Sequence, residues 1–161
     1  MNHSFRFVKR EDTALILQFI KDLAQYENML DQVTADENTL EHWIFDEKKL
    51  EVVFVLDEEG KEAGFALFFY TFSTFLGKPG LYIEDLYVKP EYRGRVYGKG
   101  LIKKLAAIAV DRGCARLDWM VLNWNQPSIA FYQSLGAKPV DDWTVYRVSG
   151  PTLNDLATSE K

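Results

Sequence analysis

A chain of 161 residues, 47% of them hydrophobic and 14% aromatic, is long enough to close one full core, which excludes a disordered or fibrous protein. Its net charge of −5 argues against non-specific binding to nucleic acid or an anionic membrane and leaves room for a cationic partner. No apolar run approaches the roughly 18 residues of a bilayer-spanning helix. The first residues carry no apolar signal segment, and the single cysteine, Cys114, fits a reducing compartment, so a cytoplasmic protein is expected.

In chain order, Phe5 to Val8 reads as a short strand. From Asp12, apolar residues recur at Leu15, Ile16, Phe19, Ile20 and Leu23, the spacing of a helix. Thr34-Ala-Asp-Glu37 has the form of a capping box opening a second helix through Leu40 and Trp43. Glu51 to Leu56 and Ala63 to Phe75 are rich in β-branched and aromatic residues and flank the turn Asp57-Glu-Glu-Gly60, which predicts an antiparallel hairpin. Gly77-Lys-Pro-Gly80 breaks the chain before a strand from Leu81 to Val88. Pro90 to Gly98 then reads as a loop, and Leu101 to Val110 as a helix closed by Gly113. A strand from Ala115 to Leu122, a short helix between Pro127 and Gly136, a last strand from Trp143 to Val148 and a polar tail complete the order. Nothing divides the chain, so residues 1–161 are expected to form a single α/β (α+β) domain: a mixed, mostly antiparallel central sheet flanked by helices.

The stretch richest in chemistry runs from Tyr82 to Gly100. A strand enters a basic, glycine-bearing loop, and the loop opens a helix. Unsatisfied N–H groups and the positive dipole end of a helix suit a pyrophosphate, and Arg93, Arg95 and Lys99 add positive charge in an acidic chain. It is not a Walker loop, because Gly100 rather than Ser or Thr follows Lys99. On residue chemistry alone, an ordinary strand–turn–helix with a solvated basic loop reads equally well.

This segment resembles the acetyl-CoA-binding motif of the GNAT superfamily, Arg/Gln-x-x-Gly-x-Gly/Ala after a strand. Over nearly the whole chain the likeness narrows to the spermidine/spermine (diamine) acetyltransferases. Leu23-Ala-Gln-Tyr-Glu27, Tyr82-Ile-Glu-Asp85, Tyr92-Arg-Gly94 and Trp124-Asn-Gln-Pro-Ser-Ile-Ala-Phe-Tyr132 carry it. Counted from Arg93, the first motif glycine falls at Val96; a second frame, from Arg95 through Gly98 to Gly100, fits literally but shifts the loop. If the backbone at Val96 needs positive φ, a β-branched residue is strained there.

The resemblance implies a GNAT-like domain with acetyl-CoA as co-substrate, no metal and a homodimer. It places main-chain contacts to the pantetheine arm at Leu86 and Val88, and phosphate contacts along Arg93, Gly94, Arg95, Val96, Tyr97, Gly98 and Lys99. Asn125 and Ser128 match positions near the acetyl end, although Asn125 would equally cap the helix that Pro127 begins. Tyr132 matches the acid that protonates the departing sulfur, a transfer uphill by only about 1.5 pKa units, or roughly 2 kcal/mol. Glu84 matches a relay for the amine proton. A direct transfer from an ammonium to an ordinary carboxylate is uphill by about six units, roughly 8 kcal/mol. The amine is therefore expected to lose its proton to solvent along water that Glu84 orders, with activity rising between about pH 7 and 9.

Tyr26, Glu27, Glu84 and Asp85, with Asp141 or Asp142 in addition, match the amine-binding side, where an aromatic face at Tyr26 helps to hold a cation. Glu84 and Asp85 are adjacent on a strand and are expected to face opposite ways. Asp118, mid-strand, reads as a ligand or as an exposed residue. His3 and His42 lack partners at metal spacing, and Cys114 follows a helix-ending glycine. The expected reaction is direct acetyl transfer to a primary amine of a small molecule: a diamine, a polyamine or an amino-acid side-chain amine such as thialysine. A protein or peptide N-acetyltransferase and a non-catalytic acyl-CoA-binding module are the alternatives.

Overall fold

The computed structural model describes residues 3–159. The chain divides into a first unit ending at Met120 and a second beginning at Val121.

The first unit is built on five strands, β1 (Ser4–Phe7), β2 (Glu51–Leu56), β3 (Glu62–Ser73), β4 (Lys78–Val88) and β5 (Leu117–Trp119), lying in the order β1-β2-β3-β4-β5. The β1–β2, β2–β3 and β3–β4 pairs are antiparallel and β4–β5 is parallel, as expected for a mixed, mostly antiparallel sheet. Helix α1 (Thr13–Tyr26) covers one face. Its Ile16 and Phe19 join Val52, Phe54, Phe65, Leu67 and Tyr87 in one buried cluster, with the Phe19 and Phe65 rings stacked 5.1 Å apart. Each such side chain contributes about 1.5–3 kcal/mol of burial free energy. Strand alternation turns Val53, Ala66 and Phe68 to the other face. Helix α3 (Tyr97–Asp111), which touches β2, β3 and β4, buries Leu101, Leu105 and Ile108. β1 is tied to the start of α1 by a bidentate pair, Arg6 to Asp12 at 2.7 and 2.9 Å, and Arg6 also pairs with Glu62.

Several boundaries differ from expectation. The cap of α2 (Glu37–Glu41) is Asp36, not Thr34: Asp36 Oδ1 accepts the Thr39 N–H at 2.8 Å, and the Thr39 hydroxyl accepts the Asp36 N–H at 3.1 Å. Two overlapping boxes exist in this stretch, and the later one closes both bonds; a π-helical turn, His42–Asp46, follows. Pro79 and Gly80 do not break β4 but belong to it, opposite Phe72 and Thr71. Proline lacks a donor, but its carbonyl still accepts the Ala115 N–H at 2.8 Å, so the edge is satisfied there. Helix α3 starts at Tyr97, four residues before the expected Leu101. β5 is shorter than the expected Ala115 to Leu122, because its pairing with β4 ends at Ile83 opposite Trp119.

The second unit holds α4 (Gln126–Ser134) and α5 (Gly150–Thr158). The α4 helix follows the expected signals, with Pro127 at its start and Gly136 at φ +87° just past its end. The expected strand from Trp143 to Val148 is not formed, and the tail read as polar is the helix α5. Pro151 in the first turn, with Leu153 and Leu156 three residues apart, specifies that helix.

Candidate functional site

The candidate site of the first unit is organised by a fault in β4. Asp85 pairs with Leu67 and Ile83 with Phe68, so Glu84 is an extra residue opposite none. This bulge interrupts the strand's alternation. It overturns the expectation that Glu84 and Asp85 point to opposite faces, a rule that holds only for regular pleat. Beyond the bulge, Asp85 and Tyr87 share the α1 face with their partners Leu67 and Phe65.

The same region of β4 has an open edge. Lys89 donates its N–H to Ala63 O at 2.9 Å. In an antiparallel ladder alternate residues turn both main-chain groups to the partner, so Tyr87 and Asp85 face β3 while Leu86 and Val88 face away. On that side β5 has already stopped pairing at Ile83. Leu86 presents both main-chain polar groups along this strand edge and Val88 its N–H, the Val88 carbonyl being taken by the Arg93 side chain, an arrangement an extended amide-bearing chain would complete.

Past this edge the chain makes a turn of 3-10 helix, Pro90–Tyr92, and enters the loop before α3. Arg93 donates its own N–H to Pro90 O at 3.2 Å, which takes it out of the set of amides available to a phosphate. From Gly94 to Lys99 no main-chain acceptor is bonded to the amides among the described residues, and the ladder of α3 resumes with Gly100 N–H to Val96 O at 2.9 Å. Gly94 at φ +74° and Val96 at φ +63° turn this run into a concave nest. The donor set fits a pyrophosphate: successive amides at the start of a 15-residue helix, with Arg95 and Lys99 beside them. Val96 therefore occupies the strained, left-handed conformation, with its side chain 52% exposed. Tyr97 is buried, edge-on to Tyr92, and the Tyr92 hydroxyl donates to Asp57 at 2.7 Å, so the β2–β3 turn props the loop.

The Arg93 side chain is turned to the end of α1 rather than to the nest. Its guanidinium lies 5.0 Å from the Tyr26 ring centroid and 5.3 Å from that of Tyr87, and its Nε donates to Val88 O at 3.0 Å. The cation thus clamps the end of α1 to the end of β4. Tyr87 was not singled out in the sequence; its place two residues beyond Asp85 would have marked it only once the bulge was known.

Beside this clamp stand three carboxyls. Glu27 caps α1, and burial pushes its carboxyl up from the usual range. Asp85, half-buried, is pushed up to about 7, first by desolvation, then by the charges of Glu84 and Glu27. No Lys or Arg pairs with any of the three among the described residues. The arrangement suits an incoming cation.

In the second unit, Asn125 is buried and its Oδ1 accepts the Ser128 N–H at 3.4 Å, so it caps α4. Tyr132 lies on α4 against Phe131, ring centroids 5.4 Å apart. Asp141 and Asp142 are exposed. In the first unit, Asp118 of β5 is ion-paired at 3.0 Å with Arg116, which stands just before the strand.

The chain is also similar to known proteins. Residues 17–137 match the family model described as "Acetyltransferase (GNAT) family", a stretch that runs across the boundary between the two units. The chain is 36% identical over 163 aligned positions to the thialysine N-epsilon-acetyltransferase of Bos taurus, covering 94% of this chain and 95% of that one. It is 32% identical over 165 positions to the spermidine/spermine N(1)-acetyltransferase-like protein 1 of Homo sapiens, covering 96% of this chain and 24% of that one. Among solved structures, the integron cassette protein VCH_CASS6 of V. cholerae superposes with a TM-score of 0.81 at 30% identity, covering 99% of each chain. With the nest, the open strand edge and the family match together, the chain belongs to the GNAT acetyltransferase family.

Proposed function

We propose that the protein transfers the acetyl group of acetyl-CoA to a primary amine of a small molecule, with an amino-acid side-chain amine of the thialysine type as the first candidate and diamines or polyamines next. The observation that carries this reading is one continuous run of chain: carboxyls on β4 that form no ion pair among the described residues, then an open main-chain edge, then a nest of amides at the start of α3. An amine, a pantetheine arm and a pyrophosphate are the ligand parts these three features suit, in that order.

On this reading Leu86 and Val88 hold the pantetheine amides, and the N–H groups of Gly94, Arg95, Val96, Tyr97, Gly98 and Lys99 hold the phosphates. Glu27, Glu84, Asp85 and the Tyr26 ring receive the ammonium. Tyr132 is proposed as the acid that protonates the sulfur, with Asn125 and Ser128 at the acetyl end; these roles come from the family likeness. The amine nitrogen attacks the thioester carbonyl, the C–N bond forms, the C–S bond breaks and the thiol leaves. The protein is further proposed to act in the cytoplasm as a homodimer, with the exposed Trp143 and Tyr146 as candidate interface residues.

The test is thiol release from acetyl-CoA with thialysine, L-ornithine, putrescine, spermidine and a lysine-containing peptide. Turnover is expected with the free amines and not with the peptide. Release with the peptide alone, or with none of them, overturns the reading.

A further inference from the structure

We propose that Asp57, in the turn between β2 and β3, is a positioning residue for the diphosphate of acetyl-CoA, acting through the Tyr92 hydroxyl on the nest that precedes α3. The inference rests on the acetyl-transfer reading above and deepens it. It gives a part in cofactor binding to a turn 35 positions before the loop in sequence.

The Asp57 carboxylate divides its oxygens between two tasks. Oδ1 accepts the N–H groups of Glu59 and Lys61 at 2.9 and 2.8 Å, and the Asp57 N–H donates to Lys61 O at 2.8 Å, so the turn closes around its own carboxylate. Oδ2 is left to accept the Tyr92 hydroxyl at 2.7 Å. The acceptor is thereby fixed at the end of the hairpin, and a fixed, charged acceptor directs its donor. The phenol holds the Asp57 carboxyl below the usual range, with help from the Lys61 N–H, and is itself raised to about 12 by that bond. Carboxylate and hydroxyl therefore keep these forms throughout the neutral range.

Tyr92 is the point at which the loop is tied to the hairpin. Among the described residues, the other hydrogen bonds of residues 90–96 stay within the segment or end on the chain adjoining it. They are Tyr92 N–H to Lys89 O, Arg93 N–H to Pro90 O, Arg93 Nε to Val88 O and Gly100 N–H to Val96 O. Tyr92 and Tyr97 bracket the nest and meet edge-on, ring centroids 5.4 Å apart, and Tyr97 rests in turn on His3 at 4.9 Å. The amides of residues 94–97 are thus strung between two touching rings, and the Asp57 bond pins the first of them. Val96 needs that support. A β-branched residue at φ +63° persists only where its surroundings hold it, and its own side chain, half exposed, does little of this. Without the pin the loop relaxes away from the nest, and the diphosphate must restore it on binding. Asp57 also lines the same recess as Gly94 and Val96, so its charge alone would repel a phosphate; its benefit is geometric.

The test is calorimetric titration of CoA into the wild type, Tyr92→Phe, Asp57→Asn and the double variant, with turnover on thialysine. Tyr92→Phe deletes one hydroxyl and keeps the ring against Tyr97, so it is expected to melt within about 2 °C of the wild type. Its Kd for CoA and KM for acetyl-CoA should rise about tenfold, while kcat at saturation and KM for the amine hold. Asp57→Asn keeps an oxygen for the turn but offers the phenol an uncharged partner, and should weaken CoA about threefold. In the double variant the asparagine should add no further loss, because the hydroxyl it would meet is gone.

S-acetylpantetheine supplies the readout that a general loss of structure would not spare. It carries the thioester and the arm without the diphosphate, so its kcat/KM should be the same for the wild type and Tyr92→Phe. Equal CoA affinity in those two proteins, tighter binding by Asp57→Asn, additive losses in the double variant, or an equal loss with S-acetylpantetheine overturns the inference and leaves the function reading standing. A wild type that takes up no CoA ends the function reading itself, and this inference with it.

Discussion

Val96 sits at φ +63°, a conformation that costs a β-branched residue about 1–2 kcal/mol. Its side chain is half exposed, so replacing it with glycine removes little packing. Val96→Gly is therefore expected to relieve more strain than the added unfolded-state freedom costs, raising Tm by about 2–4 °C. It should also tighten acetyl-CoA binding, because the nest then forms without strain. A lower Tm with weaker binding would mean that the valine stiffens the loop more than it strains it. At this scale the sequence was informative about identity and blind to direction. The spacing from Arg93 located Val96 as the odd residue in the motif, and the sign of φ there was the open question. Arg93 shows the converse. Its position in the motif was legible, but a guanidinium reaches several ångströms, and its choice of Tyr26, Tyr87 and Val88 O over the nest depends on packing between elements far apart in the chain.

Among elements, β4 determines most of what the first unit can bind, and Gly64 is what lets β3 approach it. A Cβ built on Gly64 would lie 2.4 Å from Tyr87 O and 3.1 Å from the Val88 Cα, both main-chain atoms that cannot rotate away. Gly64→Ala is thus expected to push the end of β4 outward and to destabilise the fold by about 2 kcal/mol. Because the displaced segment carries Leu86 and Val88, acetyl-CoA binding should weaken more than tenfold; a variant with wild-type melting and affinity would show that the strand yields without consequence. Strand and helix existence was largely readable, since periodicity and turn chemistry are local: the β2 bounds and the α4 signals coincide with the structure. The bulge at Glu84 was not, because register is a property of two strands and no local residue pattern in Tyr82-Ile-Glu-Asp85 marks it. The break expected at Pro79 failed for a related reason: an edge carbonyl can still be used when the donor is missing.

At the scale of the whole molecule, the segment from Trp143 to Val148 is the part whose chemistry the described fold leaves unanswered. Trp143 and Val145 would fall on one face of a strand, Tyr146 and Val148 on the other, a two-faced apolar pattern that belongs to an interior strand. Yet no strand forms there, and Trp143, Val145 and Tyr146 are 78%, 72% and 93% exposed. Phe72, Phe75 and Leu76 at the β3–β4 hairpin tip add a second apolar surface, exposed by 61%, 97% and 60%. Clustered exposed apolar residues mark interaction sites, and a stable dimer needs about 800 Å² from each partner. A second copy is the occupant proposed above. Sedimentation equilibrium is therefore expected to give twice the chain mass of 18.6 kDa at micromolar concentration. Introducing a charge at each face, Val145→Asp with Tyr146→Asp, should shift the protein to the monomer by burying unpaired carboxylates in the interface. The same pair of changes on a protein that is already monomeric would alter only solubility, and that result would remove the homodimer. If the double variant is monomeric but keeps wild-type kcat/KM for the amine, each chain carries a complete site. If activity falls with the dimer, the partner contributes to the site, and the concentration dependence of turnover should then follow the dissociation curve.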